Sequence, residues 1–294
     1  MNLKVLTIGN SFSICLEKNL PQIVKSGKKH HLHLTSAYIG GCSLQTHAEH
    51  LQSAEKDPAI SPYYISIRES GDKRKHGHRR GNVLELLRSE QYDIITIQQA
   101  SHLSWDPNSY QPFADIIINY IKKYNPQAKI MIQQTWSYRC DCIRIYGPEK
   151  LWDFDSEGMY ARLTDAYHAF AAQTGFDVIP TGDAVQLFRK KSKRVCKPVP
   201  LEQRKKYRSP DLPPSSDDVV GRFFYIKNEQ GEMVLGQDGI HLNFRGEYLQ
   251  ACVWYGKLFG EDPENIRYEH KEISSSECRL MQKCAKEALA GTWL

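Results

Sequence analysis

The 294-residue sequence has no long apolar run. Stretches such as Ile94–Ile97 and Ile116–Ile118 fall far short of the roughly 20 residues that span a bilayer, so no transmembrane helix is expected. It has no internal repeat and no low-complexity tract, which sets aside solenoid and fibrous architectures. Its eight cysteines include no C-x-x-C pair and no zinc-like spacing, so reduced thiols are expected. His30, His31, His33, His47, His50, His76 and His78 crowd the N-terminal third without forming H-E-x-x-H, and neither a metal nor another cofactor is expected. The start, Met1 to Ile8, lacks the basic, apolar and small-residue regions of a signal peptide. This reads as cytoplasmic, although a leader already removed would leave the same beginning.

What is present is the balance of an ordinary globular protein: 40% hydrophobic and 25% charged residues. The net charge of +5 is local. Arg189 to Arg208 holds ten basic residues and one acid, Glu202, so +9 lies there and the rest of the chain nets −4. Charge runs of this kind are usually solvated, which points away from nucleic acid as a partner.

Leu3–Ile8, Leu32–Tyr38, Asp93–Gln98, Lys129–Gln134 and Phe176–Ile179 are short, β-branched-rich runs, several nearly continuous in apolar character, that read as buried parallel strands. Helical patterns alternate with them at about 12–26, 44–53, 82–90, 110–124 and 157–174. The alternation predicts a three-layer α/β/α sandwich around a central five-stranded parallel sheet. Residues 1–260 are expected to form one domain, interrupted by insertions at about 55–80 and 189–216. Phe223–Ile226 and Glu232–Leu235 flank a turn-forming sequence and predict a hairpin, and a helix near 244–259 follows. Residues 261–294 read as a C-terminal helical extension.

In an open parallel sheet, ligands bind beyond the carboxyl ends of the strands. Four segments fall there: Gly9-Asn10-Ser11-Phe12-Ser13, Gly40-Gly41-Cys42-Ser43, Gln98-Gln99-Ala100-Ser101 and Asp238-Gly239-Ile240-His241-Leu242-Asn243. A serine hydroxyl is a poor nucleophile at neutral pH, so it needs a histidine to take its proton and usually a carboxylate to orient that histidine. Asp238 and His241, three residues apart, reach one site together, and Ser11 is the candidate nucleophile. An oxyanion needs preorganised donors. The amides of Ser11, at a helix start, and of Gly41, in an open loop, are candidates with a side-chain amide of Gln98 or Gln99, of which strand alternation lets one point inward. Trp136, after the fourth strand, and His47, on the helix after Gly41, are candidate substrate-binding residues.

These segments resemble the first, second and fifth blocks of the SGNH/GDSL hydrolase superfamily. They are most similar to its uncharacterised bacterial branch with a G-N-S-F-S start and a D-G-x-H-L-N end. The resemblance spans about residues 1–260 and implies a flavodoxin-like sandwich and a metal-free serine esterase, often acting on acyl groups of carbohydrates. The sequence differs from the superfamily pattern in having Asn10 where Asp is usual and Gln98-Gln99-Ala100-Ser101 where G-x-N-D is usual. The expected activity is hydrolysis of an ester, an O-acetyl or short acyl group on a carbohydrate, through an acyl-serine. The competing expectation is a catalytically weak or inactive sandwich that binds a glycan or another ligand on the same rim.

Overall fold

The computed structural model describes residues 1–71, 78–193, 195–214 and 218–291, so His76, Arg194 and parts of both expected insertions lie outside the described residues. In chain order the elements are β1 (Asn2–Gly9), α1 (Ser11–Ile14), α2 (Leu20–Gly27), β2 (His31–Tyr38), α3 (Leu44–Lys56), β3 (Tyr63–Glu69) and β4 (Arg79–Gly81). There follow α4 (Val83–Ser89), β5 (Ile94–Ile97), α5 (Phe113–Tyr124), β6 (Lys129–Gln133), α6 (Ser156–Thr174), β7 (Asp177–Ile179) and α7 (Thr181–Lys191). The chain ends with α8 (Leu201–Arg204), β8 (Val220–Lys227), β9 (Met233–Leu242), α9 (Phe244–Phe259) and α10 (Ser275–Ala290).

The main sheet has the order β4-β3-β2-β1-β5-β6-β7. Its five parallel strands, β2-β1-β5-β6-β7, coincide with the five apolar runs and follow flavodoxin-type winding. The sheet is nevertheless seven-stranded, not five-stranded. β3 and β4, which lie in the first expected insertion, extend it antiparallel beyond β2. Tyr63, Ile65 and Ser66 of β3 are buried, while Arg79 and Arg80 place charge on the outermost strand, which discourages further strand pairing.

The sheet is sandwiched between α3, α4 and α5, which pack on one another, and a second group in which α9 contacts α2, α7 and α10. Helix α9 is buried almost all round, as its weak amphipathicity requires, with Trp254 and Tyr248 among the largest fully buried side chains. Helix α10 packs Met281, Cys284 and Ala285 onto this layer. Helix α7, which the sequence pattern does not disclose, buries Thr181 to Phe188 continuously beside α9. The long helix expected over 12–26 is divided into α1, a 3₁₀ turn at Cys15–Lys18 and α2, with Pro21 in the first turn of α2.

The winding reverses direction between β1 and β5, since β1 pairs with β2 on one side and with β5 on the other. Such a switch point is where an α/β sheet opens a crevice. Ser11 follows β1 and Gln98 follows β5, on either side of it.

Candidate active site

Ser11 occupies the first turn of α1, not its cap. The cap is Asn10, whose side-chain oxygen accepts the Phe12 amide at 3.0 Å. The Ser11 amide is therefore one of the first-turn N–H groups without an intrahelical acceptor. Only a glycine fits before it at position 9, where a Cβ would lie 2.3 Å from Ser13 Oγ. The short helix is held from below through one carbonyl: Phe12 O accepts Gln133 Nε2 from β6 at 2.6 Å and Gln250 Nε2 from α9 at 2.8 Å.

Asp238 and His241 sit at the end of β9 and not in a free loop. Asp238 Oδ1 accepts the amides of Ile240 and His241, each at 3.0 Å, which curls the strand so that residues three apart face one site. His241 Nδ1 lies 3.0 Å from Asp238 Oδ2, and its Nε2 lies 2.8 Å from Ser11 Oγ. Burial works to raise the Asp238 pKa, but the side-chain and backbone hydrogen bonds from His241 and the amide of Ile240 outweigh it and hold the group at about 2. An ionised Asp238 accepts hydrogen bonds only, so Nδ1 carries the imidazole proton and Nε2 is left as acceptor for the Ser11 hydroxyl.

The loop after β6 clamps this strand end. Trp136 Nε1 donates to Ile240 O at 2.9 Å, and the Arg139 amide donates to Gly239 O at 2.9 Å. A Cβ at Gly239 would stand 2.7 Å from Cys142 Cβ, so close approach of the two segments demands glycine. Trp136 is only 1% exposed and stacks on Phe12 with ring centroids 4.1 Å apart. Its expected role as a substrate platform is corrected: with its face covered by Phe12, it supports the nucleophile helix and the histidine strand at once. His47 is likewise fully buried, stacked on Tyr63, with Nδ1 2.8 Å from the Tyr63 hydroxyl. Burial, with His50 adding to it, lowers its pKa to about 3. It is a neutral core histidine and does not reach the rim.

The two glutamines have separate duties. Gln99 Nε2 donates to Ser109 O and Ser109 Oγ, while its Oε1 accepts the amides of Leu44 and Ala100. Both its N–H groups are spent, which corrects its candidacy as an oxyanion donor. Gln98 turns to the other side and gives one N–H to Asn10 Oδ1 at 2.7 Å. Asn10 Nδ2 in turn donates to Cys42 O at 2.9 Å, tying the Gly41 loop to the nucleophile turn. An aspartate has no N–H for that carbonyl, which gives a physical reason for Asn10 here. Gly41 stands at the exposed tip with φ +63°, a conformation that favours glycine. This Asn10 network, and the glutamines under Phe12, were not foreseen from sequence; the one available signal was the Asn in place of the usual Asp.

The basic segment is only partly a solvated run. Arg189 is half-buried, paired with Asp218 at 2.9 Å and bonded to the carbonyls of Ser137 and Tyr138, and Arg204 bonds Asp141 O and Gln237 Oε1. These two guanidiniums brace the clamp loop from behind. Among the described residues, no group of three or more His, Cys, Asp or Glu side chains could hold a metal ion, and no helix is long and apolar enough to cross a membrane.

No curated protein is similar in sequence. Among solved structures, a DUF4886 family protein from Bacteroides uniformis ATCC 8492 is similar at 25% identity with a TM-score of 0.76, over 99% of this chain and 95% of that one. More distant are an acetyl xylan esterase (12% identity, TM-score 0.46, 87% of this chain and 100% of that one) and a member of the lipolytic protein G-D-S-L family from Veillonella parvula DSM 2008 (11%, 0.44, 89% and 100%). The family model described as domain of unknown function DUF4886 matches residues 4–199, two thirds of the sequence, and the chain belongs to that family.

Proposed function

We propose that this protein hydrolyses carboxylic esters through an acyl-serine formed on Ser11. One observation carries the reading: an unbroken relay from Asp238 through His241 to Ser11, with links of 3.0 and 2.8 Å, at the switch point of the sheet. Helix capping alone does not call for it, because Asn10 already caps α1.

In the first half-reaction His241 Nε2 takes the Ser11 proton as Oγ attacks the ester carbonyl, and then returns it to the departing alcohol. Asp238 stabilises the imidazolium and stays ionised. The developing oxyanion is met by the Ser11 amide, at the positive end of α1, and by the Gly41 amide. Gln98 is the glutamine with an N–H to spare, since a carboxamide has two and Asn10 takes one. Water, activated by His241, releases the acid and restores the hydroxyl. A short acyl group on a carbohydrate is the substrate class that the sequence resemblance suggests.

An aryl acetate tests the chemistry. Ser11→Ala is expected to remain folded and lose nearly all turnover, and a fluorophosphonate probe is expected to label the native protein and not the variant. Full activity in Ser11→Ala would refute the proposal, and an inactive, unlabelled native protein would refute it in favour of a ligand-binding sandwich.

A further inference from the structure

The β8–β9 hairpin has a second face that the relay does not use. Arg222 pairs with Asp238 on one side of the ribbon, whereas Phe223 pairs with Gln237 and Tyr225 with Leu235 on the other. That other side walls a cavity of about 480 Å³, closed opposite by Ile143 and the Arg204–Arg208 segment. Its volume is in the range of small-molecule sites, and none of the residues of the relay lines it.

The chemistry of the lining narrows the occupant. The walls of Ile143, Phe223, Met233 and Leu235 offer no side-chain hydrogen bond. The polar groups among them are already engaged: Gln237 Oε1 accepts Arg204 Nη1 at 3.0 Å, its Nε2 donates to Asp141 Oδ1 at 2.9 Å, and the Tyr225 hydroxyl donates to Asp211 O at 2.8 Å. A hydroxyl-rich sugar would leave its own groups unmatched against these walls, and the cost of an unmade buried hydrogen bond disfavours it. An apolar body suits them. Met233 and Ile143 are 46% and 59% exposed, so apolar surface lies open at this place.

The mouth is cationic. Lys205, Tyr207 and Arg208 line it, and no Asp or Glu is among the described lining residues, although Lys205 Nζ also reaches Glu202 Oε1 outside the lining at 2.7 Å. Among the described residues, Arg208 Nη1 donates to the carbonyls of Lys205 and Tyr207, and no carboxylate pairs with it. An anion here would be attracted foremost by Arg208, whose guanidinium can bind a carboxylate in two-point fashion, and secondarily by Lys205, which it would share with Glu202.

We propose that the cavity binds a free medium-chain carboxylate, its alkyl chain against Phe223, Met233 and Leu235 and its head at Arg208 and Lys205. The site is separate from the Ser11 relay, and the proposal stands or falls without the esterase reading.

Calorimetric titration of Ser11→Ala with hexanoate, octanoate and decanoate tests it, because this variant leaves the cavity intact. Saturable one-to-one binding is expected, tightening about fourfold for each methylene that finds apolar wall. Decanol, which lacks the anionic head, is expected to bind at least tenfold more weakly than decanoate. Met233→Asp and the double variant Lys205→Gln/Arg208→Gln change exposed residues and are expected to keep the native circular dichroism. Each is expected to weaken decanoate at least tenfold. No saturable decanoate binding, equal affinity for decanol, or unchanged affinity in these variants would overturn the proposal. So would binding to phosphatidylglycerol vesicles without any response to decanoate.

Discussion

Replacing Asp238 by Asn separates the charge of the relay from its shape. Asn keeps a side-chain oxygen for the amides of Ile240 and His241, so the curl of the strand end survives. It no longer presents an anion to His241 Nδ1, and a carboxamide N–H turned toward Nδ1 moves the ring proton to Nε2, where it faces the Ser11 hydroxyl. Loss of the correct tautomer in a Ser-His-Asp relay costs roughly 10⁴ in kcat. The same substitution has a thermodynamic signature. Folding lowers the Asp238 pKa from 3.8 to about 2, which corresponds to about 2 kcal/mol of stability for the ionised form. Because the folded pKa is the lower one, this contribution is complete above the unfolded value near 3.8 and is lost as pH falls through about 2. Urea unfolding of wild type and Asp238→Asn is therefore expected to differ by about 2 kcal/mol at pH 7 and to converge toward pH 2. A stability difference that is equal at both pH values, or a variant that keeps more than a tenth of the wild-type kcat on an aryl acetate, would refute the assignment of Asp238 as the ionised orienting group.

Three other substitutions probe the supports of the site. Trp136→Phe keeps a ring on Phe12 but removes the donor to Ile240 O; thermal or urea unfolding is expected to show a loss of about 1–3 kcal/mol, with kcat falling while KM is unchanged. Gln98→Leu is expected to lower kcat about 10²-fold, whereas Gln99→Leu is expected to lower stability, since four hydrogen bonds go, with kcat/KM of the folded fraction nearly intact. Steady-state kinetics beside unfolding curves distinguish the two. His47 is held neutral down to about pH 3 by burial, so between pH 6.5 and 3 the unfolded chain takes up a proton that the folded chain refuses and stability declines. His47→Gln is expected to flatten that part of the acid unfolding profile and to leave KM unchanged.

The parallel half of the sheet is legible in the sequence because strands buried on both faces must be apolar at nearly every position, as Ile94–Ile97 is. The antiparallel pair β3–β4 is not, because its exposed face and outer edge are written in Arg, Tyr and Glu, which read as loop. The proximity of Ser11, Asp238 and His241 was readable from chemistry and spacing, since three residue types with one joint use fell at strand ends. Burial was harder to foresee. His47 and Trp136 belong to types that sit equally well at a rim or in a core, and only the position of Tyr63 and Phe12 decides which. The division of labour between Gln98 and Gln99 depends on Asn10 and Ser109, and neither partner is implied by the local pattern.

Helix α1 is a single turn, too short to persist alone, and its one shared carbonyl is gripped by Gln250, 238 positions along the chain. The histidine that addresses Ser11 arrives from 230 positions away. Competence of the nucleophile is thus a property of the finished chain and not of its beginning. A state in which β9 and α9 have come loose while the parallel sheet persists keeps the hold of Gln133 but has lost that of Gln250 and the proton acceptor together. Labelling of Ser11 by an active-site reagent during refolding would then keep time with closure of the last layer, making the serine a clock for the slowest, most non-local step of assembly.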